Sequence, residues 1–161
     1  MLGSLRLPLF FGRYHTVFGG PFFERPTTMV GVKLAREINR PYDLSVPIKD
    51  FSVPNKVDLD EGLELAVSYI LDGDPVYSGC FGGKGRTGLF LAILAKAFGI
   101  ENPVEYVREN YSRHAVETQE QYDFVMDYSV PASVKRSIKL ARWWSVFSLR
   151  SSMTRDAINC K

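Results

Sequence analysis

The chain lacks any stretch approaching the roughly 20 apolar residues that cross a bilayer as a helix. The N-terminal run Leu7-Pro8-Leu9-Phe10-Phe11 is shorter than a signal-peptide core and is cut short by Arg13, so no export signal is read there. Cysteine is scarce: Cys80 and Cys160 are too few for a disulfide framework. His15 and His114 stand in no metal-binding spacing. These shortages argue against a membrane span, a disulfide scaffold and a zinc motif. They make a reducing, cytoplasmic setting the expectation.

What remains is a chain of 161 residues, 45% hydrophobic and 24% charged, which is the composition of one globular domain. The net charge of +2 conceals an asymmetry. Beyond Pro131 stand Lys135, Arg136, Lys139, Arg142, Arg150, Arg155 and Lys161 against the single acid Asp156, so the body is mildly acidic and the tail basic. We divide the chain accordingly into a body, residues 1–131, and a basic C-terminal helix and tail, residues 132–161, packed on it.

Along the body, Leu9, Phe10, Phe11 and Val17 among glycines read as strand and turn over 6–18. A helix is expected from Thr27 or Thr28 through Val30, Val32, Leu34, Ala35 and Ile38, ended by Pro41. Tyr42, Leu44, Val46 and Ile48 alternate with polar neighbours as a strand does, with Pro47 arguing for an edge or strand-end position. Asp58 and Asp60 open a helix closed by Gly73. Val76-Tyr77-Ser78 reads as a buried central strand, and Arg86–Phe98 as a helix apolar on all sides, hence buried. Two further helices are expected over 103–111 and from Thr118 to about Tyr128. Strands alternating with helices specify an α/β fold with a central, mostly parallel sheet flanked by helices.

The informative segment joins that central strand to the buried helix: Cys80-Phe81-Gly82-Gly83-Lys84-Gly85-Arg86-Thr87-Gly88. Its four glycines permit tight curvature and close approach of backbone to a ligand. Inward N–H groups and the positive end of a helix make an anion nest. Arg86 adds a planar fork that spans two phosphate oxygens. Cys80 lies at the mouth of the same positive field, which favours a thiolate nucleophile. Every part answers to attack by sulfur on a bound phosphoryl group. A Walker-type loop fails, because Gly83-Lys84-Gly85 offers no Lys-Ser/Thr pair. A cysteine followed by arginine and by glycines at 83, 85 and 88 arises by chance at about 10⁻⁵ per cysteine.

This loop resembles the signature of the cysteine-dependent protein tyrosine and dual-specificity phosphatases, in the form seen in phosphatase-and-tensin-like lipid phosphatases. The resemblance implies that Cys80 becomes a phosphocysteine, that Arg86 binds phosphate and that Thr87 assists release of the thiolate. Phe81, Gly82, Gly83, Lys84, Gly85 and Arg86 would line the phosphate. Pro47–Pro54 is similar to the general-acid loop, with Asp50 as the acid. Ala115–Gln121 is similar to the loop that positions water, with Gln121 retained and Glu117 where glutamine is usual. Gly79 stands where the family usually places a histidine that orders the loop, which implies a less acidic Cys80. The implied activity is metal-independent and needs no cofactor. It is hydrolysis of phosphomonoesters, with a dual-specificity (Tyr/Ser/Thr) protein phosphatase as the main reading. A phosphoinositide or other polyanion phosphatase and a phosphate-binding pseudophosphatase are the alternatives.

Other candidates weigh less. Asp58 and Asp60 suit a helix dipole, Asp43 a solvent-facing strand position, His114 a surface site, and Cys160 an exposed tail thiol. Val134, Ile138, Ala141, Trp144 and Phe147 recur at helical spacing, which a helix packed on the body explains. A basic surface for anionic lipid is the alternative, and no nucleic-acid partner is expected. The expected partner is a phosphorylated protein or peptide.

Overall fold

In a computed structural model, residues 3–9 and 12–144 are described. Phe147, Cys160 and the rest of the tail lie outside that range. The sheet has five strands: β1 (Gly3–Pro8), β2 (Tyr14–Pro21), β3 (Val30–Ala35), β4 (Leu44–Ile48) and β5 (Val76–Cys80). Their order is β1-β2-β5-β3-β4. Only the β1–β2 hairpin is antiparallel; the other neighbours run parallel. The α/β fold with a mostly parallel sheet is therefore as the sequence implied.

Strand β5 is buried along its whole length, so both faces of the sheet are covered at its centre. Helix α1 (Lys56–Asp72) packs on β4, and α2 (Gly85–Ala97) packs on β5 and against α3 (Pro103–Asn110) and α4 (Gln119–Asp127). Asn55 caps α1 by accepting from the Val57 N–H, and Gly73 closes it in the left-handed conformation. Thr118 caps α4 through the Gln121 N–H. Pro47 falls in β4, an edge strand, where a missing N–H costs no ladder bond.

Two expectations are corrected. The helix expected over Thr28–Ile38 is strand β3 instead. Val30, Val32 and Leu34 also satisfy a period of two, β-branched side chains favour the pleated form, and β3 lies between β5 and β4 with apolar cover on both faces. Asp43 faces water as expected, but it does not sit within a strand. It precedes β4, accepts from the Gly31 N–H at 2.7 Å and pairs with Arg25 at 3.1 Å.

Residues 132–144 are helical. Val134 and Ile138 are buried in the core, and Arg142 donates to the Phe98 and Pro8 carbonyls at 2.7 and 3.3 Å. Trp144, placed by its spacing on the same stripe, is 69% exposed. The stripe is thus anchored by its first half and not by Trp144. No helix among the described residues is long and apolar enough to cross a membrane.

Candidate active site

The loop between β5 and α2 carries the chemistry because a parallel strand delivers its last residue, Cys80, to the carboxyl edge of the sheet, where the following helix begins. Cys80 is buried, and its Sγ accepts from the Gly83 N–H at 3.2 Å. Its own N–H donates to Thr87 Oγ1 at 3.0 Å, tying the two ends of the loop together. Gly83 adopts a φ of +68° and abuts the backbone of Gly20, so a side chain is excluded there on both grounds. Gly88 presses on Ala115 and Val116, which seats the start of α2 against the segment leading into α4.

Arg86 is 3% exposed. It donates to the Ile48 carbonyl at 3.2 Å and pairs with two carboxylates, Glu37 at 2.7 Å and Asp50 at 3.1 Å. The guanidinium is thus oriented by the end of β4 and by acids on two loops. Burial pulls the Glu37 carboxyl up. Its own backbone N–H, the hydrogen bond from Arg86 and the charges of Arg86 and Arg36 outweigh that and hold it below the usual range. Asp50 is 62% exposed, and the same Oδ1 that meets Arg86 accepts from the Phe51 N–H. Phe51 takes a φ of +56°, an uncommon conformation for a bulky residue, and its ring is exposed.

A cleft of about 440 Å³ gathers Cys80, Phe81, Gly82, Lys84, Gly85 and Arg86 with Asp50, Phe51, Glu37 and Glu117. Among the residues expected from sequence, Cys80, Phe81, Arg86, Asp50, Lys84 and the loop glycines Gly82 and Gly85 meet there. Gly83 does not line the cleft, although its N–H reaches Cys80 Sγ, and Thr87 is buried behind the loop. Gln121 is fully buried: its Oε1 accepts from the Glu117 N–H at 2.9 Å and its Nε2 donates to the Ser52 carbonyl at 3.1 Å. It therefore joins the Asp50 loop to the 115–121 loop, and Glu117 is the side chain presented to the cleft. Glu37 escaped the sequence reading, since nothing local marks an acid whose partner is supplied by a distant loop. Asp58 and Asp60 lie elsewhere: Asp60 pairs with Lys56 and accepts from the Tyr128 hydroxyl.

A second cavity of about 460 Å³ shares Phe51, Lys84 and Glu117 with the first and is otherwise lined by Arg108, Arg113, His114, Ala115 and Val116. Arg108 is committed to the Ala115 and Val116 carbonyls. Lys84 makes no ion pair among the described residues and stands between the two cavities. The position before Cys80 also has a structural account. A Cβ on Gly79 would stand 2.8 Å from Phe22 Cα, 2.9 Å from its ring and 3.0 Å from the Gly20 carbonyl, so no histidine fits.

Residues 28–98 match the family described as "Polymorphic toxin system, DSP-PTPase phosphatase". Two uncharacterized proteins of Methanocaldococcus jannaschii are 48% and 45% identical over 85 residues, which is 53% of this chain. The aligned part spans 58% and 54% of those relatives, a little over half their length. Among solved structures, Tk-PTP in its active form is 29% identical, with a TM-score of 0.53 over 60% of this chain and 74% of that one. Kinase associated phosphatase, with its catalytic-site cysteine changed to serine, has a TM-score of 0.60 at 16% identity over 78% and 91% of the two chains. PTPMT1 in complex with PI(5)P has a TM-score of 0.57 at 18% identity over 78% and 94%. The last two are likenesses of fold.

Proposed function

We propose that the chain acts as a member of the dual-specificity-like cysteine phosphatase superfamily, which the family match over residues 28–98 and the likeness to Tk-PTP support, and that it hydrolyses phosphomonoesters through a phosphocysteine. The observation that carries the proposal is the convergence of Cys80, Arg86 and Asp50 on one cleft. In the first step the Cys80 sulfur attacks phosphorus, the S–P bond forms and the bond to the leaving oxygen breaks. Asp50 gives that oxygen its proton. Arg86 and the N–H groups of the Phe81–Arg86 loop hold the three remaining oxygens, over which charge is spread in the transition state.

Substrate phosphate competes with Asp50 and Glu37 for the guanidinium. Binding therefore frees the Asp50 carboxyl to turn to the leaving group, and its exposure leaves it room to do so. In the second step water attacks phosphorus and returns its proton to Asp50, and the S–P bond breaks. Gln121 and the Glu117 segment place that water. Thr87, whose oxygen already accepts from the Cys80 N–H, keeps its own hydrogen to donate to the departing sulfur.

The protein-phosphatase reading rests on the rim. Phe51 and Phe81 are each 61% exposed and flank the cleft openly, offering an aryl ring and an aliphatic phosphoester similar footing. A polyanion phosphatase is the second reading. It is favoured by the neighbouring cavity, where Lys84, Arg113 and His114 can meet negative charge beyond the phosphate being removed. PTPMT1, solved with PI(5)P, is a lipid-binding precedent on the same fold.

Turnover should be measured on phosphotyrosine, phosphoserine and phosphothreonine peptides, phosphoinositides and a small aryl phosphate, with Cys80→Ser as control. Comparable rates on the peptides support the first reading. A preference for phosphoinositides that Lys84→Ala removes supports the second. Oxyanion binding without turnover would mean a phosphate-binding module.

A further inference from the structure

Tyr111, directly after α3, holds the phosphate loop from behind. Its hydroxyl donates to the Gly83 carbonyl at 2.6 Å. Its ring lies against β1 and β2 at Gly3 and Gly19, which face each other in the hairpin register. A Cβ on Gly3 would overlap the ring, and one on Gly19 would stand 3.1 Å from it. The paired glycines therefore form a slot that seats the ring against the sheet. Burial, reinforced by the charges of Cys80 and Tyr77, pushes the phenol far above its ordinary range, so it remains a donor at any working pH.

The bonded carbonyl belongs to the Gly83–Lys84 peptide, which matters because in a trans peptide C=O and N–H point in opposite directions. Holding the oxygen outward aims the Lys84 N–H inward. Tyr111 lines a separate cavity with Gly3, Pro21 and Ser112, whereas Lys84 also lines the catalytic cleft. A residue at positive φ with no side chain is where a peptide plane flips most readily. A flip here would replace a donor with a carbonyl oxygen facing the phosphate. It would also disturb the neighbouring Gly83 N–H, which donates to Cys80 Sγ.

We propose that Tyr111 is a positioning residue of the phosphate loop, whose hydroxyl locks the Gly83–Lys84 peptide with its N–H toward the bound phosphoryl group and its carbonyl away. This rests on the phosphatase reading, and the test separates the two. Tyr111→Phe removes one oxygen and keeps the ring in its slot. The wild type is first shown to be inhibited by orthovanadate and to turn over an aryl phosphate; failure there overturns the phosphatase reading itself. With that established, Tyr111→Phe is expected to weaken orthovanadate inhibition and raise KM by about tenfold, the factor that accompanies a lost hydrogen bond. The pH of half-maximal alkylation of Cys80 by iodoacetamide should also move upward, while the thermal midpoint changes little. Gly3→Ala, which displaces the ring without removing the hydroxyl, should weaken orthovanadate in the same direction. Wild-type orthovanadate affinity and alkylation profile in folded Tyr111→Phe would overturn the proposal. If that variant does not fold, the same result in Gly3→Ala would do so.

Discussion

Installing histidine at position 79 should harm this protein. Sequence comparison alone invites the opposite expectation, because Gly79 stands where similar phosphatases carry a histidine that orders the loop. Two of the three atoms that a Cβ would meet are backbone, Phe22 Cα at 2.8 Å and the Gly20 carbonyl at 3.0 Å. That backbone is not free to retreat. Pro21 pairs with Cys80 in the β2–β5 ladder, and the Tyr77 hydroxyl donates to the Pro21 carbonyl at 2.8 Å. Phe22 is itself packed in the core. Inserting one carbon into such a site costs about 1–3 kcal/mol, and an imidazole adds to it. With a mid-range urea slope of about 2 kcal/mol/M, Gly79→Ala should lower the midpoint by roughly 0.5–1.5 M, and Gly79→His by more. Equilibrium urea unfolding followed by far-UV circular dichroism, alongside kcat/KM on an aryl phosphate, measures both effects. An unchanged midpoint together with faster turnover in Gly79→His would refute the steric argument.

Asp50→Asn should slow turnover by about 10²–10⁴ on esters with poor leaving groups and much less on an activated aryl ester, as leaving-group dependence of kcat will show. Glu37→Gln leaves the buried Arg86 with one carboxylate partner. Because Glu37 is partly exposed, the loss should be only about 1 kcal/mol in urea unfolding. Its carboxyl is held below its ordinary value of 4.5 in the fold, so this contribution is present above that pH and fades as pH falls through the folded value. The variant and the wild type should therefore converge in stability in acid. Ile138→Ala should cost about 2–4 kcal/mol and Trp144→Ala less than about 0.5, since only the first is packed; thermal melts of both decide whether the C-terminal helix is anchored as described.

The strand–loop–helix at the centre was legible because its signals are local: a short apolar run, four glycines and a nearly all-apolar helix closed by Gly99. Pro47 likewise narrowed its strand to an edge or strand-end position from its own chemistry, and the sheet order settles on the edge. The segment around Val30–Ala35 misled because Val30, Val32 and Leu34 satisfy both periods, and only burial between β5 and β4 decides for the strand. Asp50, which the structure brings beside Arg86, was singled out through its surroundings in the chain. Glu37 and Tyr111 were not, because each acquires its role from a partner on a distant element: Arg86 for the one, the Gly83 carbonyl for the other. Gly79 showed in the sequence as a missing histidine, but Phe22, which occupies that space, could be identified only in three dimensions. Trp144 fits a helical stripe by spacing, yet the helix turns it to solvent.

The covalent intermediate is the most direct test. Asp50→Asn mixed briefly with an activated aryl phosphate, quenched in acid and digested for mass spectrometry should carry phosphate on the peptide containing Cys80. The label should decay on a longer incubation and be absent from Cys80→Ser, which should also lack turnover. Steady hydrolysis with no phosphate on Cys80, or wild-type turnover by Cys80→Ser, would contradict the account.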